Sequence, residues 1–406
     1  MRILYITQFY PPEIGAAANR AYETAKILAS EGYDVTILTA IPNYLMDSKQ
    51  SNSHMKRQSN YEDCEGVHVI RTRLYINRNL YSLAGRFLTF FTFMMSSLWR
   101  GLYSNGYDVI LTTSPPLSLG FTAYVLSRMK GVPYIFEIRD LYPESASQLG
   151  VIKNRFVIRV MKCFASFLYR NAYHLIAVTE GIRKHLEVEN SRRKISVITT
   201  GVDLSLFKPM VPELEIVDQF HLGNKCNVLF IGIFGRMHAL TVILDAAMLL
   251  RNESSIQFTF IGDGVQKEFL VREVQRRNIK NVQLFPPQMR KMVPKIINAC
   301  NICLDSRIKI ELSQGTIPVK VVEYMACGKP IVMGISGETA KIINDAKSGQ
   351  AVEPENAEAM ADAILKISRD IRLQEQLGRN GRTFALRHFD REIKVRTLIK
   401  ILDYLS

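Results

Sequence analysis

Cysteine is scarce here, six in 406 residues. That is too few for a dense disulfide framework in a chain of this length and favours a reducing cytoplasm. Cys300 and Cys303 stand close together in "NACNICLDS", but no second pair or nearby histidine completes a zinc set. His174, His185 and His238 are too scattered to form a metal site, so no tightly bound metal is expected. Long uncharged apolar runs are missing too. In "LYSLAGRFLTFFTFMMSSLWRGLY", Arg86 and Arg100 bracket 13 residues from Phe87 to Trp99, short of the roughly 20 that span a bilayer. The start, "MRILYITQFY", goes directly into a strand pattern and does not read as a signal peptide. No G-x-G-x-x-G spacing occurs at the first glycine loop, which argues against a nicotinamide enzyme.

Acidic residues are outnumbered, 38 against 52 Lys and Arg, for a formal net charge of +14. Residues 51–100 and 151–200 carry 17 basic and 6 acidic residues, so 11 of the excess charges fall there. Both regions hold apolar helical patterns: Leu80 to Tyr103, and "KNRFVIRVMKCFASFLYRNAY" with Arg155, Arg159 and Lys162 along one side. Such helices lie on anionic membranes or cover a sheet with their charges in solvent. No base-reading motif accompanies the charge, and no nucleic-acid partner is expected.

The chain exceeds the size at which a single core keeps growing, and its 47% hydrophobic content suffices for two. Strand-like runs alternate with helical patterns in both halves, the mark of α/β domains with parallel sheets. The first half reads as "RILYIT", "DVTILTA", "VHVIRTR", "DVILTTS", "PYIFEIRD", "HLIAVTE" and "KISVITT". Between Pro42 and Val67 a polar run of weak periodicity reads as an excursion from that sheet. After "VITTGVDLSLFKP" the pattern restarts with "CNVLFIGIFG", "IQFTFIGDG", "NVQLFP", "ACNICLDS", "KPIVMG" and "GQAVEP". We therefore expect domains at 1–207 and 208–385, with 386–406 a helix able to return to the first.

The most informative stretch is "QGTIPVKVVEYMACGKPIVM", Gln314 to Met333. The loop Gly315-Thr316-Ile317-Pro318 leads into a helix carrying Lys320 and Glu323, so backbone N–H groups and a cation converge at one N-terminus. Such a terminus attracts an anion, most often a phosphate. Lysine can neutralise a diphosphate while glutamate, three residues on along the same face, accepts from sugar hydroxyls. Taken alone, the pair is also compatible with a surface ion pair worth about 0.2–0.5 kcal/mol.

Other glycine loops follow strands. Gly15 in "YPPEIGAAANR" allows close backbone approach to a ligand or simply a tight turn. "FIGIFGRMHAL" sets Gly235 and Arg236 after the first strand of the second half, where an arginine can clamp a diphosphate. "FIGDG" adds Gly262, a weaker turn motif. In "FEIRDLYPESASQLG", Glu137, Arg139, Asp140 and Glu144 cluster at a strand end. Asp140 is the polar group best placed to enter a ligand site, whereas Glu137 can be held by Arg139, and Glu144 can cap the next helix or pair with Arg139.

With these residues in view, the chain resembles the retaining glycosyltransferases of family 4. It is most similar to their bacterial surface-polysaccharide branch, the WbuB-type amino-sugar (fucosamine) transferases. The resemblance runs through "YPPEIGAAANR", "LTTSPPLSLG", "FEIRDLYPESASQLG", "AVTEGIRK", "VITTGVDLSLF", "FIGDG", "PVKVVEYMACGKPIV" and "GQAVEPENAEAMADAI". It implies a GT-B fold of two Rossmann-like domains facing across a cleft, the first for acceptor and the second for nucleotide sugar. It further implies transfer from a UDP-sugar to a polyprenyl-diphosphate-linked saccharide in O-antigen or capsule synthesis. The setting would be the anionic inner face of the bacterial cytoplasmic membrane. Glu323 matches the second acid of the family's E-x7-E signature, which contacts ribose. The first acid falls on Gly315, so Lys320 and backbone near Thr316 are expected to serve the sugar side. The family's arginine and lysine pair is represented by Arg236 alone, and its first-domain histidine is absent from "EIRDLYP", leaving Asp140 as the nearest candidate. A non-hydrolysing UDP-sugar 2-epimerase of the same architecture, or a membrane scaffold, are the alternatives.

Overall fold

The computed structural model describes residues 1–13, 15–42, 61–76, 83–189 and 194–405. It divides into two compact units: Met1–Thr199 together with Arg391–Ser406, and Thr200–Asp390. The first division falls ahead of the break expected after residue 207, for a packing reason. Val202 and Phe207 are fully buried in the second unit's core, and the Val202 amide donates to the Phe389 carbonyl at 2.8 Å.

The strands of the first unit are β1 (Arg2–Ile6), β2 (Asp34–Ala40), β3 (Tyr61–Cys64), β4 (Val67–Thr72), β5 (Val109–Ser114), β6 (Tyr134–Ile138), β7 (His174–Ala177) and β8 (Lys194–Val197). They form one sheet in the order β3-β4-β2-β1-β5-β6-β7-β8. Every pairing is parallel except β3 with β4. That antiparallel edge lies within the polar run read from sequence as an excursion. It arises because Glu65 and Gly66 adopt φ of 53° and 78°, the left-handed pair that closes a two-residue hairpin. Residues 43–60 of the same run lie outside the described residues.

The unit's helices are α1 (Ala16–Ser30), α2 (Leu83–Leu102), α3 (Ser118–Lys130), α4 (Glu144–Gln148), α5 (Arg155–Asn171) and α6 (Glu180–Glu189). α3 ends where Gly131 takes φ 68° and its amide caps Ser127.

The second unit contains β9 (Cys226–Ile233), β10 (Ile256–Asp263), β11 (Val282–Phe285), β12 (Ile302–Ser306), β13 (Ile331–Gly334) and β14 (Gly349–Val352). Its sheet is parallel throughout, in the order β11-β10-β9-β12-β13-β14. The helices used below are α7 (Val319–Ala326) and α8 (Ala357–Ser368). One sheet face buries Val321, Val322, Tyr324 and Met325 of α7, each contributing on the order of 1.5–3 kcal/mol. The other buries Met360, Ala363 and Ile364 of α8.

The strand orders locate a site before any side chain is considered. In the second sheet the winding reverses beside β9, with β10 on one side and β12 on the other. In the first it reverses between β1 and β5. Loops leaving the carboxyl ends of such strand pairs separate and leave a crevice, where open α/β sheets bind ligands.

The final helix, α9 (Arg391–Asp403), belongs to the first unit. Val395, Leu398 and Leu402 enter that unit's core. Arg391 pairs with Glu23 of α1 at 2.8 Å, and the Tyr33 hydroxyl donates to Asp403 at 2.6 Å.

Candidate active site

At the reversal point of the second sheet, the carboxyl end of β12 presents a buried carboxylate. Asp305 is fully inaccessible. Its Oδ1 lies 2.7 Å from His238 Nδ1, in the loop after β9, and 3.4 Å from Lys320 Nζ, in the first turn of α7. Its Oδ2 lies 3.5 Å from Arg307 Nε. The Lys320 ammonium also sits 3.8 Å from the centre of the Phe230 ring, a cation–π contact. A Cβ on Gly232 would come within 3.1 Å of the same nitrogen, so the ammonium occupies the space a side chain at 232 would need.

These contacts set the charges. Asp305 is held ionised, well below the usual carboxylate range: burial opposes this, but His238, Lys320 and Arg307 outweigh it. Burial pushes His238 down to about 4, with Asp305 opposing. At neutral pH His238 is therefore neutral, and facing an ionised carboxylate its Nδ1 carries the proton and donates. Burial lowers Lys320 to about 8, again against Asp305. The cluster thus holds two cations against one anion, a surplus that suits an anionic ligand.

Sequence reasoning found Lys320 but missed Asp305 and Arg307, which lie in and just past an apolar run. Lys320 and Glu323 are not paired with each other. Glu323, almost wholly buried, accepts from Arg290, whose guanidinium lies 4.3 Å from the Phe207 ring centre. The Thr316 hydroxyl donates to the Ser313 carbonyl, and its own carbonyl accepts from Thr339. Gly315 closes the short helical turn Glu311–Gln314, its amide donating to Leu312.

Arg236 is exposed and, among the described residues, makes no hydrogen bond or ion pair; the buried polar side chain of this loop is His238. Gly235 has ordinary space around a Cβ, whereas a Cβ on Gly262 would lie 1.8 Å from the Gly232 carbonyl oxygen. What Gly262 serves is the close approach of β9 and β10 at their ends.

In the first unit, Gly15 follows β1 with φ 157° and open space where a Cβ would be, so backbone conformation rather than crowding calls for glycine. Glu137 is not held by Arg139. It accepts from Arg20 of α1 at 2.9 and 2.5 Å and from Thr113 at 3.0 Å, because its place late in β6 points it beneath α1. Arg139 donates to the Ser114 carbonyl at 3.2 Å. Glu144 pairs with Lys162 of α5 at 3.0 Å instead of with Arg139. Asp140, at the strand-to-loop bend, is pushed up to about 6 by burial, with Ser145 and the Leu141 amide opposing. Glu137, by contrast, is held below its ordinary value: burial opposes this, but the charge of Arg20 prevails.

α2 exposes an aromatic stripe at every fourth residue: Phe87 at 70%, Phe91, Met95 and Trp99 at 64%, continuing to Tyr103. Beside it, a groove of about 640 Å³ is lined by Arg71, Arg73 and Arg100 together with Phe91, Met95 and Trp99. α5 exposes Phe156 and Val160 among its basic residues. Among the described residues no helix is long and apolar enough to cross a membrane.

Two parallel-sheet Rossmann-like units in one chain define the GT-B architecture. Residues 15–201 match the family model Glycosyl transferase 4-like domain, and residues 215–384 match Glycosyl transferases group 1. The chain belongs to the GT-B glycosyltransferases. It is 24% identical to WcaI of Escherichia coli (strain K12), provisionally named as a colanic acid biosynthesis glycosyl transferase, over 98% of this chain and 99% of that one. It is also 24% identical to the Escherichia coli UDP-Gal:alpha-D-GlcNAc-diphosphoundecaprenol alpha-1,3-galactosyltransferase, over 68% of this chain and 70% of the other. Anabaena Alr3699/HepE, solved with UDP-glucose, superposes with a TM-score of 0.73 at 18% identity, covering 100% of both chains.

Proposed function

We propose that this glycosyltransferase moves a sugar, an N-acetylated amino sugar of the fucosamine type, from a UDP-sugar to a polyprenyl-diphosphate-linked saccharide, with retention at the anomeric carbon. The observation that carries the donor side is the Lys320–Asp305–Arg307 cluster, whose surplus cation lies at the start of α7. Lys320 neutralises the diphosphate, and Glu323 receives the ribose hydroxyls. Charge that develops on the departing diphosphate is then met by a cation fixed in place, with no bound metal required. The fold match to a protein solved with UDP-glucose supports this nucleotide.

In a retaining transfer of this kind the acceptor attacks from the face the diphosphate leaves, so no carboxylate nucleophile is needed. Asp140 instead orients the acceptor or takes its proton. A general base works best with its pKa near the working pH, and burial moves Asp140 that way.

A lipid-linked acceptor fits the arginine-lined groove and its apolar wall on α2, which match an anionic head and an apolar tail. The aromatic stripe lies on the anionic inner face of the cytoplasmic membrane, where surface polysaccharide is assembled. The name of the galactosyltransferase relative, which carries a diphosphoundecaprenol acceptor, supports the same class. The test is release of nucleoside diphosphate from a panel of UDP-sugars with defined lipid-diphosphate saccharides. Sugar-dependent release that requires the lipid acceptor is expected; no release across a broad panel overturns the reading.

A further inference from the structure

We propose that Asp305 is a positioning residue: clamped by His238, its buried carboxylate fixes the Lys320 ammonium in the gap at Gly232, aimed at the donor's diphosphate. The inference rests on the donor reading above and adds the device that makes Lys320 effective.

A lysine is a flexible four-carbon stem ending in a strongly hydrated charge. Left to itself it would be a poor fixed electrode. Here Phe230 covers one side at 3.8 Å, the missing side chain of Gly232 leaves the seat, and Asp305 holds it at 3.4 Å. That ionic contact occupies one of three N–H donors and leaves the others for a second anion. Burying a carboxylate costs several kcal/mol unless it is compensated, and in the sheet the Asp305 register partner is the apolar Met333. The packing of β12 gives no reason for an acid at this position, whereas the surrounding charges do.

Among the described residues, the charged and titratable groups facing Lys320 are Asp305 from β12, Arg307 just beyond it, His238 from the loop after β9, and Glu323 from its own helix. Without the carboxylate, Lys320 and Arg307 would face each other as buried like charges, and the lysine, the one able to deprotonate, would lose its proton. His238 fixes the rotamer: its Nδ1–H to Oδ1, at 2.7 Å, is the shortest contact Asp305 makes.

UDP itself is the probe, with its affinity measured by calorimetry from pH 6 to 9.5. In the parent protein affinity should fall above about pH 8 as Lys320 loses its proton. Asp305→Asn should move that alkaline limb down by about one pH unit, a loss of about twofold at pH 7 that grows towards tenfold above about pH 8, whereas Lys320→Arg should remove the limb. A limb left at the parental pH in a folded Asp305→Asn protein, or a loss equal at every pH, overturns the proposal. If Asp305→Asn does not fold, the clamp is read at His238. His238→Leu should lose about tenfold in UDP affinity, and His238→Gln, which keeps a donor, should recover most of it; equal losses overturn the proposal. Lys320→Ala separates the two readings. If it binds UDP as tightly as the parent, the donor role of Lys320 fails. If it loses UDP while the Asp305→Asn limb stays put, only the role of Asp305 fails.

Discussion

Arg290 donates to Glu323, and the same guanidinium lies 4.3 Å from the centre of the Phe207 ring. The carboxylate proposed to read ribose is thus already oriented from one side by a stacked cation, and its second oxygen remains to accept from hydroxyls. Glu323→Gln keeps the shape but removes the charge. A hydrogen bond to a charged group is worth about 1.5–3 kcal/mol, so UDP-sugar affinity should fall at least about tenfold with the fold retained. Unchanged affinity in a titration would take Glu323 off the donor site.

The two candidate cations can be ranked. Lys320 is buried against an aromatic ring and an acid, while Arg236 is exposed in the loop after β9. A charge held in a low-dielectric setting acts more strongly than one in water. Lys320→Ala should therefore reduce transfer far more than Arg236→Ala, by about a hundredfold against a few-fold if about 3 kcal/mol of charge stabilisation is lost. Equal or reversed losses in steady-state rates would show that the exposed arginine swings in to do the work.

Much of this architecture was legible because strands announce themselves locally. Each of the "CNVLFIGIFG" to "GQAVEP" runs became a strand, and Lys320 with Glu323 stood out by sharing one helical turn. Asp305 was hidden for the opposite reason. It closes an apolar strand, and its partners His238 and Lys320 lie 67 and 15 residues away, so only the folded sheet brings the three together. Glu137 misled in the same way: local spacing proposed Arg139, whereas the crossing of α1 over the sheet supplied Arg20, 117 residues distant. The edge strand β3 was masked by polar composition, which an edge exposed to solvent tolerates.

Acid should weaken the second unit through His238 and Asp305. The folded pKa of His238 is depressed to about 4 from an ordinary 6.5, so the unfolded chain binds more protons between those values. Stability is then lost as pH falls through that window. The Asp305 carboxyl, held lower still, adds a further loss below its ordinary value of 3.8. Thermal melts from pH 7 to 3.5 should show a drop beginning near pH 6.5, blunted in His238→Gln. An identical decline in both proteins would mean other groups dominate.

The α2 stripe predicts a membrane response that depends on charge and on aromatic side chains separately. Binding should be stronger to anionic than to neutral liposomes and should fall with salt as surface charges are screened. Phe87→Ser with Trp99→Ser should lower binding at every salt concentration while UDP affinity is kept, since both side chains are exposed. Equal sedimentation with both liposome types would argue for a protein that works free of the membrane.

Asp140 offers the sharpest contrast between stability and turnover. Its carboxyl is raised from 3.8 to about 6 because burial disfavours the charged form. The folded state therefore holds the proton more tightly than the unfolded chain, and stability declines as pH rises from about 4 to 6. Above that window the protein carries an ionised, partly desolvated acid that costs on the order of 1–3 kcal/mol. Asp140→Asn removes that cost, so the melting temperature at pH 7.5 should hold or rise. If the carboxylate takes the acceptor's proton, turnover should fall by about 10²–10⁴-fold, with UDP affinity intact. The acid limb of the parent rate profile, expected near pH 6, should also vanish. A variant that turns over normally at saturating donor and acceptor removes Asp140 from the mechanism. A variant that loses turnover but keeps the limb shows that another acid, with Glu144 the next to test, carries the titration.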